Sequence, residues 1–175
     1  METKLVDENE QVSIIIFQVG SEEFVISLLD VKEIIQTGYI RRLPKSKDFI
    51  EGIYNYRGNI IHIINLKKKL NLEDVNVYNK DLEDKAGQDG KRFIIIVNIG
   101  GIDVGFSVDR ILNISNIEIS KVVGLSPIIQ TGISNIDYIN GIVKFEEKPR
   151  IFINLHTILS DAEKESIKKD QENFL

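Results

Sequence analysis

The chain has 175 residues, and its 22 Lys and Arg against 27 Asp and Glu give a formal net charge of −5. The length fits one domain or two small ones and supports a real core, while 42% hydrophobic and 28% charged residues exclude collagen, coiled coil and extensive disorder. The acidic balance argues against a nucleic-acid binder, and the lack of cysteine removes disulfides, thiolate nucleophiles and Cys-ligated metals.

Residues Met1 to Glu10 are acidic and without an apolar core, so no secretory signal is expected there. The longest apolar run, Phe93 to Val97, is far shorter than the ~20 residues of a membrane helix. The expectation is a cytoplasmic protein with no direct membrane insertion. Clusters of β-branched residues, Ile14-Ile15-Ile16-Phe17, Ile60-Ile61, Ile63-Ile64 and Phe93 to Val97, read as short buried strands at the spacing of barrels or a sandwich. Ser27 with Asp30, followed by Val31, Ile34 and Ile35, predicts a capped helical turn or two. Ser46 to Glu51 is bracketed by an N-cap residue and Gly52, a second helical signal. Glu73 to Lys91 is polar, with Gly87 and Asp89-Gly90, and reads as a loop or linker. Ser160 with Glu163 forms a capping box that opens a charged tail, read as a frayed C-terminal helix.

The chain also matches itself. With Gly20 set on Gly100, Ile16 to Gly20 falls on Ile96 to Gly100, and Phe24, Ile26, Ser27, Leu28, Val31 and Ile34 fall on Val104, Phe106, Ser107, Val108, Ile111 and Ile114. At a different offset, Gly52-Ile53 matches Gly141-Ile142, and Ile63 to Leu66 matches Phe152 to Leu155. A duplicated β unit leaves this trace. It predicts two small interleaved β-barrels with a ligand groove at their seam.

Catalytic motifs are lacking. Gly124-Leu125-Ser126-Pro127 fails as a nucleophile elbow, and Gly87 to Lys91 fails as a phosphate loop. Neither His62 nor His156 has a His or Glu at ligand spacing, so both read as packed or half-exposed side chains, with no catalytic, cofactor or metal site. Arg41, Arg42, Lys45 and Lys47, and again Lys67 to Lys69, read as solvated faces, with contact to an acidic partner as the alternative. Arg57, between Tyr56 and Gly58 at a tight hairpin, has no counterpart in the second copy, where Glu146-Glu147-Lys148-Pro149 stands. Glu33 is likewise replaced by Asn113, so both charges belong to one repeat only.

These residues carry a family likeness. Phe17, Gly20 and Phe24, then Val31-Lys32-Glu33-Ile34, Leu43-Pro44 and Gly52-Ile53-Tyr54-Asn55-Tyr56-Arg57-Gly58 resemble the CheW domain of bacterial chemotaxis. The likeness continues through Val104 to Ile111, Tyr138 to Ile142 and Ile151 to Leu159. Tyr56 stands where the family word has leucine. The resemblance implies a mainly β fold of two SH3-like five-stranded barrels related by the repeat, with short helices and a C-terminal helical tail. It divides the chain into an N-terminal tail 1–11, a CheW-like domain 12–160 of two interleaved barrels, and a charged tail 161–175. It further implies a non-catalytic adaptor in membrane-associated receptor arrays, with no nucleic acid as partner. Such an adaptor couples the cytoplasmic tip of chemoreceptors to the regulatory domain of the histidine kinase CheA. Val31, Glu33, Ile34, Arg57 and Ile114 would line or support the receptor groove, Glu33 and Arg57 as a charge pair. The competing readings are a small hydrolase or metal enzyme centred on His62 and the acidic loop, and an OB-like nucleic-acid binder. Net charge and the absence of tryptophan oppose the latter.

Overall fold

The computed structural model describes residues 10–37, 39–72, 92–124 and 138–174; the expected loop at 73–91 and most of the N-terminal tail lie outside them. The first half of the chain forms β1 (Gln11–Val19), β2 (Glu22–Ser27), β3 (Glu33–Thr37), β4 (Ile50–Tyr56), β5 (Asn59–Asn65) and the one-turn helix α1 (Leu66–Lys69). The second forms β6 (Arg92–Ile99), β7 (Ile102–Val108), β8 (Arg110–Glu118), β9 (Val122–Val123), β10 (Ile139–Val143), β11 (Arg150–Ile153) and α2 (Asp161–Asn173).

The strands divide between two sheets, ordered β8-β1-β2-β11-β10-β9 and β3-β6-β7-β5-β4. Each half lends its opening hairpin to the sheet built on three elements of the other half. The second sheet closes where Arg41, beyond the end of β3, bridges Ile53 of β4 through N···O contacts of 3.0 and 2.8 Å. The first closes where β8, after a 3-10 turn at Ile119–Lys121, continues as β9 and pairs with β10. One barrel therefore has the expected five strands. The other has the same five, its third strand broken by the 3-10 turn into β8 and β9.

Register shows the duplication directly. Ile34 pairs with Ile95, and its counterpart Ile114 pairs with Ile15. The parallel pair Ile63–Gly105 is matched by Phe152–Val25. Both closures need a glycine, because a Cβ on Gly52 would stand 2.1 Å from the Arg41 carbonyl oxygen and one on Gly141 2.5 Å from that of Val123.

Successive side chains of a strand point to opposite faces. In β1, Ile14 and Ile16 fill one barrel with Val25, Ile117, Val143 and Phe152. Ile94 and Ile96 of β6 fill the other with Tyr56, Ile61 and Ile63. The intervening Ile15, Phe17, Ile95 and Val97 meet in a third core between the barrels. Burial on both faces explains why these strands read as unbroken apolar runs.

Two helical expectations are corrected. After Ser27 there is only a 3-10 turn, Leu28–Asp30, without a side-chain cap, and Glu33 to Thr37 is strand. Ladder partners on β6 for the β-branched pair Ile34 and Ile35 outweigh the local capping pattern. Ser46 to Glu51 holds turns leading into β4; Ser46 Oγ donates back to the Leu43 carbonyl (2.8 Å) instead of capping forward. The C-terminal helix has its capping box, with both Ser160 and Glu163 bonds made. It is docked, not frayed: Ile167 is buried in the inter-barrel core, and Lys69 Nζ donates to both Glu163 oxygens at 2.8 and 2.9 Å.

Candidate functional site

The five residues singled out in the sequence separate into two neighbouring groups. Glu33 opens β3 opposite Ile96, on the face that lines the second barrel, so its carboxylate sits at that barrel's mouth. The β4–β5 hairpin closes over it. Arg57 and Gly58 both have positive φ, +50° and +86°, as a two-residue hairpin turn of the twist-matched kind requires. Asn55 Oδ1 accepts from the Gly58 amide (3.0 Å). The turn brings Arg57 Nη2 to 3.0 Å from Glu33 Oε2, and the Tyr56 hydroxyl donates to the same oxygen. The Tyr56 hydrogen bond, helped by the charge of Arg57, holds the Glu33 carboxyl below its ordinary 4.5; the same hydrogen bond raises the Tyr56 phenol against the opposing charge of Arg57. Arg57 lies 5.5 Å and Lys32 5.8 Å from the Tyr56 ring centre, and Lys32 also pairs with Asp103 at 2.8 Å.

Val31 and Ile34 face the other way and pack partly buried on the inter-barrel core with Leu28 and Ile111. They follow the 3-10 turn that carries the chain from β2 in one barrel to β3 in the other, the turn on which Leu29 is 92% exposed. The second crossing, from β7 to β8, is anchored by Asp109, whose Oδ2 accepts from the Gly20 amide (2.6 Å). Just beyond it, Leu112 is 42% and Ile114 54% exposed. Ile114 faces the inter-barrel side through its partner Ile15, and β8 approaches β6, the ladder partner of β3. The seam between the barrels thus carries uncovered aliphatic side chains, with a hydrogen-bonded charge pair beside it at the mouth of one barrel.

Sequence reasoning missed Tyr56, Leu29 and Leu112. Tyr56 was legible only as a departure from the family word, although a phenol beside Arg57 is a donor for whatever carboxylate Arg57 meets. Leu29 and Leu112 lie within apolar words that the strand pattern treats as core. His62 sits away from this site, while His156 reaches the end of the 3-10 turn that carries Leu29. His62 is buried on β5, with Asp170 Oδ2 at 3.3 Å from Nε2 and the Phe174 ring stacked at 5.9 Å; His156 Nε2 is 3.8 Å from Asp30 Oδ1. Among the described residues no group of three His, Asp or Glu could hold a metal ion.

A duplicated pair of β-barrels that exchange hairpins, with an apolar seam flanked by a fixed charge pair, defines a two-barrel interaction module. Residues 13–163 match the profile of the CheW-like domain, and the chain belongs to that family of chemotaxis coupling and scaffold proteins. It is similar to the chemotaxis protein CheW of Treponema pallidum, 30% identical over 89% of this chain and 86% of that one. The CheW of Klebsiella aerogenes is 27% identical over 92% and 89% respectively. Among solved structures, the scaffolding protein TtCheW from Thermoanaerobacter tengcongensis superposes with a TM-score of 0.67 at 28% identity, over 85% of this chain and 92% of that one. No helix among the described residues is long and apolar enough to cross a membrane.

Proposed function

We propose that this chain is a non-catalytic cytoplasmic adaptor that joins the tip of a transmembrane chemoreceptor to the regulatory domain of the histidine kinase CheA within receptor arrays. The observation that carries the receptor half of this reading is the uncovered aliphatic seam. A receptor tip is a helical hairpin, and an amphipathic helix docks by laying apolar anchors into a groove. Val31, Ile34 and Ile114, joined by Leu29 on the adjoining turn, form the contact surface. Glu33 and Arg57 act beside it: their pairing, with the Tyr56 hydroxyl, fixes the first residue of β3 and so the attitude of Val31 and Ile34. The kinase half rests on family membership.

The test is a calorimetric titration of the protein with a receptor-tip fragment and, separately, with a CheA regulatory domain. Binding to both is expected. Ile114→Glu weakens receptor binding at least about tenfold, because it places a charge that must be desolvated in an apolar contact. The half-exposed position leaves the melting temperature unchanged, and kinase-domain binding is retained. Arg57→Ala weakens receptor binding without loss of fold. Binding to neither partner refutes the proposal; receptor binding indifferent to Ile114→Glu refutes the placement of the groove.

A further inference from the structure

Part of each basic run of the sequence, Arg42 and Lys47 from the first and Lys68 from the second, lines one cleft. A cleft of about 620 Å³ opens at the end of the second barrel where β3 finishes, β4 and β6 begin and α1 follows β5. Arg42 and Lys47 line it from the β3–β4 connection, Lys68 from α1 and Arg92 from the start of β6. The carboxylates on its wall are Asp48 and Glu51, so four cations face two anions in a chain whose net charge is −5. Glu51 is already spent, since it accepts from Arg92 Nη1 and from the Ser107 hydroxyl. Arg92, anchored by that pair and by a 3.2 Å bond to Ser107 Oγ, is held rigid while its side chain remains 37% exposed. Among the described residues Arg42 and Lys68 have no acidic side-chain partner, and Lys47 lies only over the Phe49 ring at 5.8 Å.

The corner of the β3–β4 connection adds to this. Lys45 has φ +62°, a backbone region that suits glycine and that a residue with a Cβ adopts at a cost. Pro44 precedes it and Ser46 Oγ pins the turn to Leu43.

We propose that this cleft binds an acidic peptide segment of a protein partner. Its chemistry fits spaced carboxylates better than one compact anion. Phosphate sites converge backbone N–H groups on a point, whereas here the cations come from three separate elements. The Lys68 backbone amide is not available to an anion, since it donates to Asn65 Oδ1 at 3.1 Å. The cleft is also distinct from the seam. Glu33 and Thr37 mark opposite ends of β3, a separation of about 13 Å at strand rise.

The test uses the full-length protein and a fluorescein-labelled decapeptide of alternating Glu and Gly, read by anisotropy, with the Gln–Gly peptide as control. Expected is saturable binding of the acidic peptide alone, weakening as salt rises from 50 to 300 mM as electrostatic screening requires. Combined Arg42→Glu, Lys47→Glu and Lys68→Glu should reduce affinity at least about tenfold. Lys168→Glu with Lys169→Glu on α2 should leave it unchanged, as should Arg57→Ala, which separates this site from the proposed receptor seam. Should the triple variant lose its circular dichroism spectrum, Arg42→Gln with Lys68→Gln takes its place. Absence of binding, equal binding by the cleft and α2 variants, or displacement of the peptide by millimolar inorganic phosphate overturns the proposal.

Discussion

Ile167→Ala isolates what holds α2 on the barrels. Ile167 is 3% exposed and is the one buried side chain in the 13 residues of α2. The substitution removes three carbons from the inter-barrel core, which at about 0.8 kcal/mol each is about 2.4 kcal/mol before any cavity contribution. An isolated helix of this length is marginal in water, so the loss falls on docking rather than on the sheets. At about 1.4 kcal/mol per decade, the docked population relative to the undocked one falls about 50-fold. Amide hydrogen exchange reads this directly. Protection within 161–173 should drop by that factor, while β1 and β6 amides keep theirs, and Ser166→Ala on the exposed face should lose nothing. An equal fall in β1 and β6 would show that α2 unfolds only with the whole molecule. No fall anywhere would show that Ile167 does not anchor it. Either result refutes the reasoning.

The same helix gives a pH dependence. Burial pushes the His62 imidazole below its ordinary 6.5, and the hydrogen bond and charge of Asp170 offset only part of that shift. A group with a lowered folded pKa contributes stability that is full above the unfolded value and is lost as pH falls through the folded one. Protection of α2 should therefore decline from pH 7 to 5, and His62→Gln should flatten the decline. Glu163 does not confuse this window: burial raises its carboxyl, but hydrogen bonds from Lys69 and Ser160 prevail and hold it below 4.5. In the barrel interior, Gly105→Ala places a methyl 2.6 Å from both Ile63 Cδ1 and Ile94 Cγ2. Overpacking of that kind costs about 1–3 kcal/mol, so thermal melting should move down by several degrees at about 2–4 °C per kcal/mol for a domain of this size. An unchanged melting temperature would show that the sheet relaxes around the methyl.

The repeat was legible because the residues that pair across strands are the ones that recur in sequence. Ile34 and Ile114 occupy matched rungs, as do Ile63 and Phe152. The charge pair was legible too, since Glu33 and Arg57 each lack a counterpart in the other copy. What sequence alone could not show was long-range. Ser27 to Ile35 carries a helix-start pattern, and only pairing with β6 makes its second part a strand. α2 reads as a charged tail because a single apolar side chain anchors it. The Tyr56 hydroxyl finds Glu33 across 23 positions of chain, a distance at which no local pattern operates. Leu29 and Leu112 are apolar letters in apolar words, and only the crossings between barrels show that they stay uncovered.

The hairpin exchange makes the two halves interdependent. A single half supplies three elements that need a hairpin and a hairpin that needs three elements, so alone it closes no barrel. Two identical halves would satisfy one another by a twofold exchange, the low-cost route by which swapped homodimers arise. The chain thus has the architecture of a swapped dimer whose subunits have been joined end to end. A single chain need not hold that symmetry, and one half carries Glu33 and Arg57 where the other carries Asn113 and Glu146–Pro149. An assembly of two equal subunits would present the same mouth twice; the fused chain presents it once, and so offers its partners a direction.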